Sequence, residues 1–473
     1  MLSCSRDGSD VISHLLHSRL DFATAFKNNP RWKMTAFQPA AVITTATEPV
    51  KVAIIGCGSR GTIYSRYALV SDKMQVVAIA DPSKARVEKL QSAHNIPDEQ
   101  CHSSWESLLE APKIADAALI CTIDSLHEGL AVAFANRGYH ILLEKPMATD
   151  LAGCQAVYSA VKRNGVMLAV CHVLRYTPYN RKIKQIIESG VLGSVVGIQH
   201  TEPVGHYHFA HSYVRGNWRN EAESSFSLMT KSCHDIDIIM YFLGNDCKRV
   251  SSFGGISHFK PEKKPLAAAG AVRCMDCAYE AQCPYSAKKI YLKPAELGHK
   301  KWPVDVITDV VDIESVAEAL RSGPYGRCVY ECDNDVCDNQ VVNMEFDDCR
   351  YASFSMVAFT KEICVRKTRI FGTLGELVGD GNMSIEVYDF LSQKSTFHHP
   401  EPVSVHLGGH GGGDMGIIEA FVNAVATRDS TLLPSNALTS LDASVVVFAA
   451  EEARRRGVVV DLDEYRRQNK VEY

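Results

Sequence analysis

The chain has 473 residues, with 50 Lys plus Arg against 55 Asp plus Glu and a formal charge of −5. This near-balance argues against nucleic acid or a membrane surface as a partner. The composition, 46% hydrophobic and 22% charged, is typical of a folded globular protein and not of a disordered chain. No apolar run approaches the roughly 18 residues that a membrane helix needs. A chain of this length predicts two domains.

The amino-terminal segment indicates a cytoplasmic protein. It lacks the basic start and continuous apolar stretch of a secretory signal, and Asp7, Asp10 and Asp21 argue against an organellar transit peptide. The sixteen cysteines are therefore expected to be mostly reduced thiols. Residues 1–48 have no clear hydrophobic pattern, and we expect them to form a weakly ordered tail.

The first chemical motif is a glycine-rich turn after a short apolar strand. The run Val50–Ile55 is typical of a buried parallel strand, and Gly56, Gly58 and Gly61 follow it. Glycines there form a tight turn and let the backbone approach a pyrophosphate at the start of a helix. A second apolar run ends in Asp81, about 20 residues further on, as a dinucleotide fingerprint requires. A carboxylate at this place binds the ribose of NAD and repels the phosphate of NADP.

Apolar runs and helical patterns alternate as far as residue 171, which predicts an α/β domain with a doubly wound parallel Rossmann sheet over residues 49–172. Ligands of such sheets lie beyond the carboxyl ends of the strands. NAD is the predicted cofactor, and NADP stays possible because Lys84 and Arg86 follow Asp81. The turn and the strand ends predict these further cofactor-binding residues: Ser59, Arg60, Thr122, His127, Glu144 and Lys145.

Four stretches together carry a family resemblance. They are the glycine turn at 56–61, the motif Glu144-Lys145-Pro146, the segment at 172–178 with the glycines of 190–193, and the helical pattern at 231–237. With these motifs the chain resembles the Gfo/Idh/MocA family, the glucose-fructose oxidoreductase, inositol dehydrogenase and rhizopine-catabolism group. The resemblance covers roughly residues 50–460.

The resemblance implies a second domain over residues 173–473. Its expected fold is α+β, with an open, mostly antiparallel sheet that covers the nicotinamide and offers a surface for a homodimer or homotetramer. The sequence agrees, because residues 339–346, 351–359 and 366–371 read as half-alternating strands. Helical patterns return near 414–427 and 439–456.

Oxidation of a secondary alcohol needs a hydride acceptor and a base beside it. Lys145, at the end of a predicted strand, is the first catalytic candidate, and the alternative is a surface lysine paired with Glu144. His234 is the second, because the matching family histidine binds the substrate hydroxyl and relays its proton; the alternative is a partly buried structural histidine. Lys231, His234 and Asp237 recur at threes, which predicts one helix face lining a pocket.

The substrate implied by the resemblance is a small molecule, a sugar, sugar derivative or cyclic polyol that exchanges a hydride with NAD(P) at a secondary hydroxyl or ketone. Thr230 departs from the commoner family pattern, which has Asp there, and this favours the alternative of a non-catalytic NAD(P)-binding regulator. Further candidates for the substrate are Arg175, Tyr176 and Lys231, and for the cofactor Trp218 and Arg219.

A cysteine-rich insertion extends from about 258 to 335. Cys274 and Cys277 have a spacing that suits zinc, and Cys283, Cys328, Cys332 and Cys337 could supply further thiolates. The later cysteines lack the usual two-residue spacing. The residues alone therefore slightly favour reduced cysteines and no metal site.

Overall fold

A computed structural model describes residues 48–401 and 409–473. The tail predicted for residues 1–48 lies outside the described residues, apart from its last position. Within the two described ranges, no helix is long and apolar enough to cross a membrane.

Six parallel strands form the first sheet: β1 Val50–Ile55, β2 Met74–Ala80, β3 Cys101–His102, β4 Ala117–Ile120, β5 His140–Leu143 and β6 Leu168–Val170. Their order across the sheet is β3-β2-β1-β4-β5-β6. The helices between them are α1 Ser59–Ser65, α2 Tyr67–Val70, α3 Lys84–His94, α4 Trp105–Glu110, α5 His127–Asn136 and α6 Leu151–Asn164. The central strands are almost continuously apolar because both faces of the sheet are covered.

The second sheet has nine strands: β7 Val195–Pro203, β8 Cys247–Gly255, β9 Asn339–Phe346, β10 Tyr351–Val357, β11 Lys367–Gly372, β12 Gly375–Gly379, β13 Ile385–Asp389, β14 Lys394–His398 and β15 Val460–Asp461. Their order is β14-β13-β12-β11-β7-β10-β9-β8-β15, and only β7 and β10 pair in parallel. Strand β9 alternates buried and more exposed positions, because only one of its faces packs on helices.

The remaining helices are α7 Pro178–Glu188, α8 His206–Phe209, α9 Ser227–Thr230, α10 Cys233–Leu243, α11 Lys293–Glu296, α12 Val304–Ile307, α13 Ile313–Ser322, α14 Gly413–Thr427, α15 Ala437–Arg456 and α16 Leu462–Gln468. Helix α14 does not stay with the second sheet. Its residues Ile418 and Phe421 are fully buried in the same apolar cluster as Val52 and Ile54 of β1. The domain boundary predicted at residue 172 therefore does not separate the two parts completely. A helix from the C-terminal part of the chain, α14, covers the parallel sheet of the first domain.

The insertion connects β8 to β9 and spans residues 256–338. It consists of loops and short helical turns, and α13 is its longest regular element with ten residues. A π-helical turn, Ala210–Arg215, packs against it from the segment after β7. The insertion is thus fastened to the second domain by side-chain contacts more than by sheet hydrogen bonds.

Candidate active site

The glycine turn has the shape that a dinucleotide requires. A Cβ on Gly56 would meet the Cys121 carbonyl oxygen at 2.4 Å, and one on Gly61 would meet the Gly56 carbonyl oxygen at 2.1 Å. At Gly58, by contrast, the nearest described atom would be 3.9 Å away. The first and last glycines are needed for close backbone packing, whereas the middle one leaves the approach to the turn open. The turn therefore fits a pyrophosphate.

Asp81 lies where the fingerprint predicts it, at the end of β2, and is 5% exposed. Its Oδ2 accepts a hydrogen bond from the Cys57 backbone N–H at 2.8 Å, and its Oδ1 accepts one from the Ser83 N–H at 2.8 Å. The carboxylate therefore holds the glycine turn in place. Each oxygen keeps a second lone pair, so acceptor capacity remains for a ribose hydroxyl.

A buried ion network joins the turn to the end of β5 and to α14. Arg60 contacts Glu144 at 2.6 Å and Asp414 at 2.7 Å, and the Tyr64 hydroxyl donates to Glu144 at 2.8 Å. Burial opposes ionisation of Glu144, but the Arg60 guanidinium lowers the pKa of this carboxyl. Burial likewise opposes ionisation of Asp414, yet a hydrogen bond from His410 and the Arg60 charge lower its pKa. Arg60 thus ties the glycine turn to the end of β5 and to α14.

Lys145 points from the end of β5 toward the second domain. Its Nζ donates to the carbonyl oxygen of Thr230 at 2.6 Å and lies 5.9 Å from the centre of the Trp218 ring. Thr230 is fully buried, and its hydroxyl is 3.4 Å from the Phe226 carbonyl. The acceptor for the Lys145 ammonium is therefore the backbone carbonyl of Thr230, and not a side-chain carboxylate such as an aspartate at position 230 would provide. The ammonium is held without a carboxylate hydrogen-bond partner among the described residues.

Two buried histidines lie beside this lysine. The rings of His172 and His234 are 6.0 Å apart, and the Nδ1 atom of each lacks a hydrogen-bond partner within the described part of the chain. Burial lowers the pKa of His234 well below its ordinary value, and the nearby Lys145 charge lowers it further. Burial also lowers the pKa of His172, against the opposing effect of Asp237. Both rings are therefore neutral at neutral pH.

His410 completes this group from a third direction. Its ring lies 6.2 Å from that of His234, and its Nδ1 is 3.1 Å from Asp414 at the start of α14. The structure brings it to the same place as Lys145 and His234, because α14 packs on the parallel sheet.

The predicted face of Lys231, His234 and Asp237 does not form as one pocket wall. Lys231 precedes helix α10, and its Nζ contacts Glu202 at 3.1 Å and the Cys364 sulfur at 2.9 Å. Burial opposes its charge, but Cys364 and Glu202 raise the pKa of Lys231. The Lys231 ammonium is thus paired inside the second domain, and its contact with a substrate stays a prediction.

Arg175 and Tyr176, two further residues predicted to contact substrate, are also paired within the protein. Arg175 is 3% exposed, and its guanidinium donates to both carboxylate oxygens of Asp237, at 2.8 and 2.7 Å. The Tyr176 hydroxyl is fully buried and shares a 2.8 Å hydrogen bond with Ser435. Both side chains connect chain segments far apart in sequence, and their polar atoms are occupied by protein partners.

Some of the other cofactor candidates are free to contact a cofactor, and others have protein partners. Thr122 lies half-buried just beyond the end of β4. Both ring nitrogens of His127 face carbonyl oxygens, that of Pro146 at 2.7 Å and that of Thr122 at 3.3 Å. Trp218 donates from its indole to Asp124 at 2.9 Å and stays beside Lys145. Arg219 instead pairs with Glu223 and with Asp333 of the insertion. The geometry thus gives His127 and Arg219 structural partners rather than an open path to a cofactor.

A cavity of about 840 Å³ lies between the insertion and helix α8. Its lining includes Lys289, Lys300, Lys301, His206 and Trp302. The Trp302 ring is 5.0 Å from that of His208, whose Nδ1 is 3.5 Å from the sulfur of Cys364 beside Lys231. The cavity is therefore basic and aromatic.

Sequence reasoning missed the part played by His172. His172 was noted only as the first residue of the segment at 172–178. It nevertheless follows the last parallel strand closely, in the region where ligands of such sheets bind. The Thr230 carbonyl was missed because no residue type marks a backbone acceptor. Glu202, Asp235 and Arg366, which form one buried ion cluster, were missed because they lie on three separate elements.

These features together define a class of protein, the nicotinamide-dependent oxidoreductases. The features are the Rossmann sheet with its open glycine turn, the lysine at a strand end and the buried neutral histidines, next to a second open sheet. Comparison with known families agrees: the profile described as an oxidoreductase family with an NAD-binding Rossmann fold matches residues 50–172, and that of the family's C-terminal alpha/beta domain matches residues 184–462. The chain belongs to the Gfo/Idh/MocA oxidoreductase family. The predicted fold class and NAD cofactor are confirmed.

Individual relatives are distant. The oxidoreductase YteT of Bacillus subtilis (strain 168) is 24% identical over 356 residues, 72% of this chain and 79% of that protein. The scyllo-inositol 2-dehydrogenase (NAD(+)) of the same organism is 28% identical over 212 residues, 44% of this chain and 58% of the enzyme. The crystal structure of an Agrobacterium radiobacter oxidoreductase with NAD+, L-tartaric acid and magnesium has a TM-score of 0.63 at 16% identity, covering 88% of this chain and 99% of that one.

Proposed function

We propose that this oxidoreductase moves a hydride between NAD and a secondary hydroxyl, or the matching ketone, of a sugar, sugar derivative or cyclic polyol. The observation that carries the proposal is the grouping of the Lys145 ammonium with two buried imidazoles whose Nδ1 atoms lack partners among the described residues. The similarity to scyllo-inositol 2-dehydrogenase (NAD(+)) supports a sugar or cyclic polyol as the substrate class.

In this proposal Lys145 exchanges the proton of the substrate hydroxyl. Bound NAD supplies the hydride acceptor or donor. His234 and His172 are held neutral by burial, so each presents one donor and one acceptor nitrogen that orient a hydroxyl. The Thr230 carbonyl aims the lysine, and Trp218 covers it on one side. The cofactor is to be held by Gly56, Gly58, Ser59, Gly61, Asp81 and Thr122.

The test is Lys145→Met, which keeps most of the aliphatic stem and removes the titratable amine. A panel of polyols and sugars, followed by NADH absorbance, first identifies the best substrate. The variant's kcat should then fall by about 10²- to 10⁴-fold, with little change in NADH affinity measured by fluorescence titration. Turnover near the wild-type rate would exclude Lys145 as the acid or base. Loss of NADH binding as well would make it a cofactor ligand.

Lys113→Met is a matched control. The Lys113 ammonium also donates to a backbone carbonyl at 2.6 Å, that of Gly138, and also faces an aromatic ring, that of Tyr139 at 4.9 Å. It lies at the opposite end of the strands from the site. Its substitution should leave kcat and NADH affinity within about twofold, so a larger effect would indicate that loss of any such lysine disturbs the domain.

The alternative, an NAD(P)-binding regulator without turnover, is favoured only by Thr230 in place of aspartate. It predicts tight NADH binding with no NADH-linked turnover across the whole panel. The same panel therefore separates the two functions.

We propose that Asp81 sets the preference for NAD over NADP. Its carboxylate would repel a 2′-phosphate while accepting ribose hydroxyls. NADH should bind more tightly than NADPH to the wild type, and Asp81→Ser should narrow the ratio of the two dissociation constants. Because Asp81 also holds the N–H groups of Cys57 and Ser83, the variant should weaken NADH binding too. If the ratio of the NADH and NADPH dissociation constants did not change, another residue would set the cofactor preference. Lys84 and Arg86, which follow Asp81 in the sequence, would then be the first candidates.

We also propose that the open face of the second sheet forms a homodimer or homotetramer. Apolar side chains on this sheet are exposed on neighbouring strands, among them Phe253, which is 69% exposed and lies opposite Val341 in the strand register. Phe253→Lys with Val341→Lys should convert the assembly into a monomer in sedimentation experiments. A wild-type protein that sediments as a monomer at micromolar concentration would contradict this proposal.

A further inference from the structure

Four cysteines of the insertion surround one small cavity. Cys274, Cys277, Cys283 and Cys328 all line a space of about 20 Å³, which holds about one water-sized sphere. The first and last of them are far apart in sequence, and an isolated antiparallel bridge between Arg273 and Arg327 brings them side by side. Cys332 and Cys337, which the sequence treated as equal candidates, are not part of the lining.

Local turns aim the other two thiols at the same space. The Cys277 N–H donates to the Cys274 carbonyl at 3.4 Å, which closes the Cys-x2-Cys turn. The Cys283 N–H donates to the Tyr279 carbonyl at 3.2 Å, at the end of a second short turn. All four sulfurs are free thiols, so no disulfide accounts for their meeting.

An arginine with no acidic partner lines the same cavity. Arg215 is 1% exposed, and its Nη2 lies 3.5 Å from the Cys274 sulfur. Its Nε and Nη2 also donate to the carbonyls of Arg327 and Tyr285, but its Nη1 has no hydrogen-bond partner in the described part of the chain. No carboxylate within that part lies at ion-pair distance from it. Burial of a lone charge is strongly unfavourable, and neutral thiols do not balance it.

The insertion is rich in loops although part of it is well buried. Residues 256–338 contain α11 and α12, of four residues each, and α13 of ten residues, joined by loops and short turns. Side chains such as Tyr291, Val316 and Leu320 are buried in the main apolar core. Loop-rich segments are commonly stabilised further by disulfides or by a structural metal. The cysteines of this segment are unpaired, so disulfides do not do this here.

We propose that Cys274, Cys277, Cys283 and Cys328 bind one structural zinc ion as four thiolates, and that Arg215 balances the charge of this centre. Zinc with four thiolates carries a net charge of −2, of which the buried guanidinium offsets one unit, and the Arg215 N–H beside Cys274 donates to a ligand sulfur. No three potential ligands within the described residues stand at coordinating distance around one point. In this proposal zinc binding draws the four sulfurs inward onto the cavity, whereas the cysteine spacing alone favours reduced thiols without a metal.

The primary test is metal analysis of the full chain, purified with a reductant and without chelators. The wild type should contain about one zinc per chain. Cys274→Ser and Cys328→Ser should each lower this below about 0.2 equivalents, whereas the matched Cys332→Ser should retain it. Less than about 0.1 equivalents in the wild type would overturn the proposal. So would iron with inorganic sulfide in place of zinc, or equal zinc loss in the Cys332 variant.

Two further measurements remain decisive if the cysteine variants fail to fold. X-ray absorption at the zinc edge of the wild type should give four sulfur neighbours at about 2.3 Å, and nitrogen or oxygen ligands would overturn the assignment. Arg215→Leu should speed zinc transfer to a chelator by at least about tenfold, with Arg215→Lys closer to wild type. An unchanged rate in Arg215→Leu would remove the charge-balancing role of the arginine.

Discussion

In the parallel sheet, every buried charged or imidazole side chain follows the end of a strand or begins a helix beside it, as Asp81, Glu144 and His172 do. In the C-terminal part, several buried charges lie within regular elements, as Glu202 does in β7 and Asp235 and Asp237 do in α10. The first region therefore has an apolar interior with a polar edge that is free for ligands. The second has an interior that depends on matched charge pairs between distant segments.

The largest effect is expected from breaking one of those pairs. Arg175→Leu leaves Asp237 buried and uncompensated, and it should lower the free energy of unfolding by about 3–5 kcal/mol in urea titrations. Replacing Asp237 by Leu as well should restore much of the loss. Arg181→Leu, on the exposed side of α7, is the control and should change stability by less than about 1 kcal/mol. A small effect of Arg175→Leu would show that the pair is not a stabilising feature of the second region.

Backbone packing in the parallel-sheet region should give the next largest effect. Gly61→Ala places a Cβ about where the Gly56 carbonyl oxygen lies, at 2.1 Å. We expect a loss of about 3 kcal/mol from overpacking and a more than tenfold rise in the NADH dissociation constant. Gly129→Ala in α5 meets no atom within 4 Å and should be neutral or stabilising by about 0.5–1 kcal/mol. Equal responses of the two glycines would contradict the steric account.

The pH dependence of stability should report the buried imidazole of His211 in the C-terminal region. Burial, with the Arg215 charge, lowers the pKa of His211 from 6.5 to about 4. Because the folded-state pKa lies below the unfolded one, the contribution of neutral His211 is fully present above pH 6.5 and is lost as pH falls toward 4. Between pH 7.5 and pH 5 this amounts to about 2 kcal/mol. Unfolding curves of His211→Gln should have a pH dependence smaller by that amount, and identical slopes would refute the assignment.

The smallest effect is expected at Arg219, which the sequence assigned to the cofactor. Its ion pairs with Glu223 and Asp333 lie near the surface, so Arg219→Ala should lower stability by about 1 kcal/mol or less. The NADH dissociation constant should change by less than about twofold. A tenfold or greater loss of NADH affinity would return Arg219 to the cofactor site.

Much of the first region was predictable because its signals are local. The strand at 50–55 was predicted with its observed bounds, and the next one with its observed end before Asp81, since short β-branched runs bounded by turns indicate buried parallel strands. The strands at 339–346 and 351–357 were predicted nearly as well from alternation. Lys145 and His234 came from motifs at element ends. The protein partners of Arg175, Tyr176 and Lys231 could not be predicted, because residue type does not reveal a partner that is distant in sequence.

The sequence by itself determined the parallel sheet, the dinucleotide turn and the place of Lys145, because these follow from periodicity and from residues close together in the chain. Only the tertiary structure decided which polar groups meet across long separations. It set His172 beside His234, aimed Lys145 at the Thr230 carbonyl, brought α14 onto the first sheet and gathered four thiols around Arg215. Such contacts depend on packing between elements, and no local pattern encodes them.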